Sequence, residues 1–307
     1  LINRAAASLM LENADEALTD AQAALSLDPK LIKAHVRAAK AMTLSGSLSA
    51  ARRQLELAAS LPTADASVSS ELGTLSALEA KLRSAKDALA QESGPAAREA
   101  LRLFTELGER CPCSSSIACL QMEALMKARP QQGAAQVVAE SARWLRRQSD
   151  NPDLLCVRGK GLYGTGQLES ALKHFSEALR LDPDHAASKA MRSRLKELER
   201  IKKAGNEAFS SGRYDEAIER YTEAIAVDPD NVDLNLTLYT NRATAKFKKG
   251  NFTDAMEDTN TALEIQPRHL KAMLRRAACK LELEDYQGAI SDYEEAREIE
   301  PKDQSIK

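Results

Sequence analysis

The chain has 307 residues, 43% hydrophobic and 29% charged, with a formal net charge of −2 at pH 7. That supports a sizeable buried core and gives no global pull toward nucleic acid or an anionic membrane. Only 4% of residues are aromatic while Ala, Leu, Glu and Lys abound, which favours helix and excludes a β-rich fold.

In chain order, residues 1–11 read as the later part of a helix, so the chain is expected to start inside a repeat and to be a piece of something longer. "ADEALTDAQAALSLDP" (14–29) is an amphipathic helix closed by a proline. Residues 32–65 carry Ala39, Ala51 and Ala58 at the spacing of a tightly packed helix pair. The stretch 66–92 is an Ala/Ser/Leu/Lys/Arg helix without that signature. Ala100, Phe104, Leu107 and Pro112 fit the second half of a pair over 81–114. Residues 115–151 fit loosely, with Pro130 near the turn. Residues 152–185 fit well through Gly159, Ala171, Phe175, Ala178 and Pro183. Residues 186–200 lack the pattern and extend a neighbouring helix.

The pattern is plainest in "YDEAIERYTEAIAVDP" (214–229), "FTDAMEDTNTALEIQP" (252–267) and "YQGAISDYEEAREIEP" (286–301), each preceded by a helix and a short polar break. It is similar to the tetratricopeptide repeat, a helix–turn–helix of about 34 residues. With the closing proline at repeat position 32, Ala217, Ala255 and Ala289 fall at position 20. Ala224, Ala262 and Ala296 fall at position 27, and Gly205, Ala243 and Ala277 at position 8. Small side chains there let helix A and helix B approach closely, and the proline ends the hydrogen-bond ladder. The expected fold is an all-α tetratricopeptide-repeat superhelical solenoid of antiparallel helix pairs. Its expected divisions are an N-terminal group (1–65), a divergent central group (66–185), a connecting helix (186–200) and a C-terminal three-repeat group (201–307). "KDQSIK" is short for the polar terminal helix of a solenoid, again pointing to a piece of a longer chain.

No catalytic constellation is present: nucleophile elbow, phosphate loop and zinc-protease motif are all missing. His35, His174, His185 and His269 are scattered singly and read as surface or packing residues. "GKGLYGTG" (159–166) mimics a phosphate loop, but lies in the helix A and turn of a good repeat, where its glycines pack. Trp144 reads as a packing anchor. The five cysteines contain no C-x-x-C pair, and Cys111-Pro-Cys113 has no histidine nearby in sequence, so reduced thiols without metal are expected. No apolar run reaches membrane-spanning length, and the first residues are expected to be a helix interior rather than a signal peptide. The expectation is a cytoplasmic, non-enzymatic protein without a cofactor.

Charge partition is more informative. In the last three repeats the helix A segments carry Arg200, Lys202, Lys203, Arg242, Lys246, Lys248, Lys249, Lys271, Arg275 and Arg276, whereas acidic residues crowd the helix B segments. Helix A lines the inner surface of such a solenoid, so a basic groove with an acidic back is expected. Within it, Lys202 (position 5), Asn206 (9), Asn241 (6), Lys271 (2) and Arg275 (6) follow helical spacing. This set resembles the carboxylate clamp of chaperone-binding tetratricopeptide domains, which grips the two carboxylates at the end of an acidic tail. Lys248 (position 13) matches a supporting basic position. Phe209 (position 12) matches one that often lines an apolar pocket. Asn3, Lys33 and Arg37 repeat the Asn/Lys/Arg part near the start as an incomplete second clamp.

Two clamp-like groups flanking a divergent centre, with "HFSEALRLDPDH" (174–185), "ERIKKAGNEAF" (199–209) and "LKAMLRRA" (270–277), resemble the tetratricopeptide-repeat J-domain co-chaperone family. The resemblance implies binding to the acidic C-terminal tails of the seventy- and ninety-kilodalton heat-shock chaperones and help with client transfer between them. It implies neither nucleic-acid nor membrane partners. No His-Pro-Asp triplet, the hallmark of a J domain, occurs in these residues. Other clamp-bearing adaptors, a general protein-interaction scaffold and an RNA-binding helical array are the alternatives. The last would want more groove aromatics and a basic balance.

Overall fold

The computed structural model describes residues 1–62, 64–130, 132–229 and 231–300. Pro301, "KDQSIK" and the end of the 201–307 group lie outside the described residues. Among the described residues there are sixteen α-helices and no strand.

The chain divides into two compact units, Leu1–Gly161 and the residues from Leu162 on. The first contains α1 (Ile2–Met10), α2 (Ala14–Leu27), α3 (Ile32–Leu44), α4 (Leu48–Ala59), α5 (Ala66–Ala90), α6 (Gly94–Arg110), α7 (Ser115–Ala128), α8 (Gly133–Leu145) and most of α9 (Pro152–Gly164). The second contains α10 (Leu168–Leu181), α11 (Ala186–Ser210), α12 (Tyr214–Val227), α13 (Val232–Lys249), α14 (Phe252–Ile265), α15 (Leu270–Glu282) and α16 (Tyr286–Ile299). Residues 186–200 are continuous with the helix A that follows, forming the 25-residue α11.

From α1 to α8, and again from α10 to α16, consecutive helices pack on one another. Odd-numbered helices also touch the next odd one at α1–α3, α3–α5 and α13–α15. This is the two-layer stacking of helix A on helix A that a solenoid requires. The small positions do their work at the contacts. Ala217, Ala224, Ala243, Ala255, Ala262, Ala277, Ala289 and Ala296 are all wholly buried. Ala39, Ala51, Ala58, Ala100, Ala171 and Ala178 are buried likewise.

Helix starts follow capping chemistry. Asn13, Asp65, Ser93, Ser114, Asn231 and Asp285 each accept a hydrogen bond from a first-turn backbone N–H. His185 and His269 cap α11 and α15 in the same way through Nδ1, at 3.1 and 3.3 Å. His35 is buried between Gln54 and the Pro29 carbonyl, and His174 lies 2.8 Å from the Ser170 carbonyl. "GKGLYGTG" is helix and turn: a Cβ on Gly161 would sit 3.1 Å from the Ala134 carbonyl, so the glycine permits close packing on α8. Trp144 packs on the cluster around Val137 and Leu154.

Cys111 is buried, which pushes its thiol up to about 11, and the Cys113 thiol donates to the Glu12 carbonyl at 3.0 Å. Among the described residues no His/Cys/Asp/Glu cluster could hold a metal, and no helix is long and apolar enough to cross a membrane.

Candidate functional site

The ten helix A cations of the second unit do not form one open basic stripe, as the sequence suggested. Arg242 chelates Asp258 with bonds of 2.9 and 2.7 Å, and Lys246 approaches the same carboxylate at 3.0 Å. One repeat later Arg276 chelates Asp292 at 2.8 and 2.7 Å, with Lys280 at 2.9 Å. Both aspartates are buried, so each needs its cations to offset lost hydration. Arg4 and Asp20 form the equivalent pair in the first unit. Arg200 pairs with Glu197, Lys203 with Glu207 and Lys249 with Asp215. Four of the ten have no carboxylate partner among the described residues: Lys202, Lys248, Lys271 and Arg275.

Arg275 is the least expected of these. Its guanidinium lies 4.8 Å over the Phe247 ring, and its buried Nε has no hydrogen-bond partner. Burial pulls the guanidinium below its ordinary range, with Cys279 and Tyr293 opposing only partly. A desolvated cation left without an anion is costly, whereas neighbouring Arg276 has its carboxylate. Lys271 stands exposed one helical turn before Arg275 on α15, and Lys248 is exposed beside Phe247 at the end of α13.

On α11, Lys202 is half-buried and Asn206 is exposed one turn later. The Asn206 Oδ1 accepts a 2.8 Å hydrogen bond from the Tyr221 phenol of α12. Phe209 is half-buried and tilts against Tyr214, with ring centroids 5.7 Å apart. Asn241 sits half-buried on α13.

Two contributors escaped the sequence reading. Phe247 occupies repeat position 12, the same position as Phe209, and packs edge-on against Phe252 at 5.3 Å while its face carries Arg275. The shared position was a signal available in the sequence. Tyr221 occupies position 24, where an aromatic is ordinary core, and nothing in the spacing marks its hydroxyl.

In the first unit, Arg37 donates to the Ile2 backbone carbonyl, while Asn3 and Lys33 are exposed. The guanidinium equivalent to Arg275 is thus engaged within the fold.

A family model described as "TPR repeat" matches residues 205–238, and two described as "Tetratricopeptide repeat" match 152–185 and 240–304. DnaJ homolog subfamily C member 7 of Homo sapiens is 33% identical over 97% of this chain and 59% of its own length. That of Mus musculus is 34% identical over the same shares. The chain therefore spans less than two thirds of the length of these relatives. The crystal structure of the P58(IPK) TPR domain covers 99% of this chain and 84% of its own, with a TM-score of 0.65 and 22% identity. It shares the fold. The chain carries tetratricopeptide repeats and is homologous along nearly its whole length to part of the DnaJ homolog subfamily C member 7 proteins.

Proposed function

We propose that the C-terminal three-repeat group is a carboxylate clamp for the acidic C-terminal tails of the seventy- and ninety-kilodalton heat-shock chaperones. The chain then acts as a cytoplasmic co-chaperone adaptor that brings clients and chaperones together without an enzymatic step. One observation carries this reading: Arg275 is half-buried and stacked on Phe247, its buried Nε has no partner and no carboxylate pairs with it among the described residues, while the other arginine of the same helix, Arg276, chelates an aspartate of its own repeat. An incoming carboxylate supplies the missing partner.

The other members follow from the ligand's chemistry. A terminal aspartate presents a side-chain and a main-chain carboxylate, and both need charge-assisted donors when water leaves. Lys202, Lys271 and Arg275 supply cations, and Asn206 and Asn241 supply neutral N–H donors. Lys248 extends positive charge toward upstream acidic residues, and Phe209 offers an apolar face. The N-terminal set of Asn3, Lys33 and Arg37 is expected to bind such tails weakly or not at all, because Arg37 is engaged with the Ile2 carbonyl. The division into N-terminal, central and C-terminal groups is a functional grouping in this account.

The test is titration with the acidic C-terminal pentapeptides of both chaperone classes, by wild type and by Lys271→Ala. Loss of a partner from such a pair costs about 2–5 kcal/mol, so binding should weaken at least 30-fold. Equal affinity of the variant, or no binding by wild type at low salt, contradicts the assignment.

A further inference from the structure

We propose that Tyr221 is a positioning residue of the groove: its phenol fixes which end of the Asn206 amide faces an incoming carboxylate. The inference rests on the clamp reading and adds to it a residue that touches no ligand.

An exposed asparagine amide has two ends of nearly equal size and opposite polarity. Turned one way it offers two N–H donors. Turned the other way it offers a carbonyl oxygen, which repels a carboxylate. Asn206 is exposed, so the surrounding packing does not choose between them. Tyr221 does. The residue is only 2% exposed, and its O–H donates to Asn206 Oδ1 at 2.8 Å. The reversed amide would make the phenol oxygen accept and leave the phenolic proton without an acceptor against a packed wall, at the cost of an unmade hydrogen bond. With Oδ1 committed to the wall, both Nδ2 protons are left for the groove.

Comparison among repeats separates this role from packing. Position 24 is Phe104 in 81–114 and Phe175 in 152–185, both wholly buried, so an aromatic ring fills this site without a hydroxyl. Position 9 in those repeats is Leu89 and Lys160, with no amide to orient. Tyr293 also occupies position 24, but position 9 there is Ala278. Among these four repeats tyrosine meets asparagine only in 198–231, the repeat that carries Lys202. Gly205 completes the arrangement: a Cβ there would come within 2.9 Å of Tyr221 Cε1, so the ring could not lie flat against α11 and reach the next residue.

The test is a double-mutant cycle with Tyr221→Phe, Asn206→Ala and the double variant, titrated with an acidic pentapeptide ending in a free aspartate. Phe104 and Phe175 give reason to expect that Tyr221→Phe folds. It should weaken binding about three- to tenfold in the wild-type background and less than about twofold in the Asn206→Ala background. An equal loss in both backgrounds makes Tyr221 a packing residue and overturns the proposal, as does no loss in either. A second readout needs no ligand: the Asn206 side-chain amide order parameter should be high in wild type and fall in Tyr221→Phe. If wild type fails to bind the peptide, the clamp reading falls. The order parameter still decides whether Tyr221 holds the amide, and a low value in wild type overturns it.

Discussion

Arg275 and Arg276 are adjacent, and methionine at each should have opposite consequences. Arg275→Met removes a buried Nε that lacks a partner, relieving about 1–3 kcal/mol, and gives up a stack on Phe247 worth about 0.5–2 kcal/mol. Stability should therefore be unchanged or rise by about 1 kcal/mol. Binding of an acidic tail peptide should fall by about 2–5 kcal/mol, roughly 30-fold to a few thousand-fold. Arg276→Met instead strips two charge-assisted bonds from the buried Asp292 and leaves only Lys280. That should cost about 2–3 kcal/mol of stability while binding by the folded protein persists. Amide exchange in α15 and α16 is the suitable stability assay, because a repeat array opens locally and one melting midpoint does not isolate this end. Isothermal titration reads the binding. The reasoning is refuted if Arg275→Met destabilises α15 as much as Arg276→Met does, or if the two lose affinity equally.

The His269 cap makes α15 sensitive to pH. Burial, and secondarily Lys271, hold its imidazole below the ordinary value of 6.5. The folded state thus binds the proton less well than the unfolded state. The cap's contribution is complete above about 6.5 and is lost as pH falls through the folded value. Protection of the Ala272 N–H should drop between pH 7 and 5 in wild type but stay level in His269→Asn, whose cap does not titrate; parallel pH curves would refute this. Gly205→Ala should cost about 1–3 kcal/mol and also weaken peptide binding, since the new methyl meets the Tyr221 ring. Unchanged amide exchange in α11 and α12 would count against it. Phe247→Leu should reduce peptide affinity about 3- to 30-fold through Arg275 and have little further effect in Arg275→Met; equal losses in both backgrounds would show that the stack is not the cause.

The repeat architecture was legible because position-specific small residues and closing prolines recur, and close helix packing imposes them directly. Ala217, Ala255 and Ala289 could be placed at contacts from spacing alone, and all are wholly buried. Charge was legible only in part. Arg242, Lys246 and Arg276 look like groove cations in sequence, but Asp258 and Asp292, sixteen residues after Arg242 and Arg276, neutralise them across the helix pair. That pairing depends on side-chain reach between two helices, which periodicity within one helix does not express. Tyr221 was hidden for a related reason: its ring obeys the packing pattern while its hydroxyl serves a residue on another helix. His185 and His269 read as surface or packing residues in the sequence because histidine is an uncommon cap.

The most direct test of the central claim compares one acidic pentapeptide in two forms, with its terminal carboxylate free and amidated, titrated against the wild-type protein at low salt. If Lys202, Asn206, Asn241, Lys271 and Arg275 hold a chain-terminal carboxylate, amidation should weaken binding at least about 30-fold and reduce its salt dependence. Equal affinity for the two forms would contradict the clamp and leave the groove without its assigned ligand.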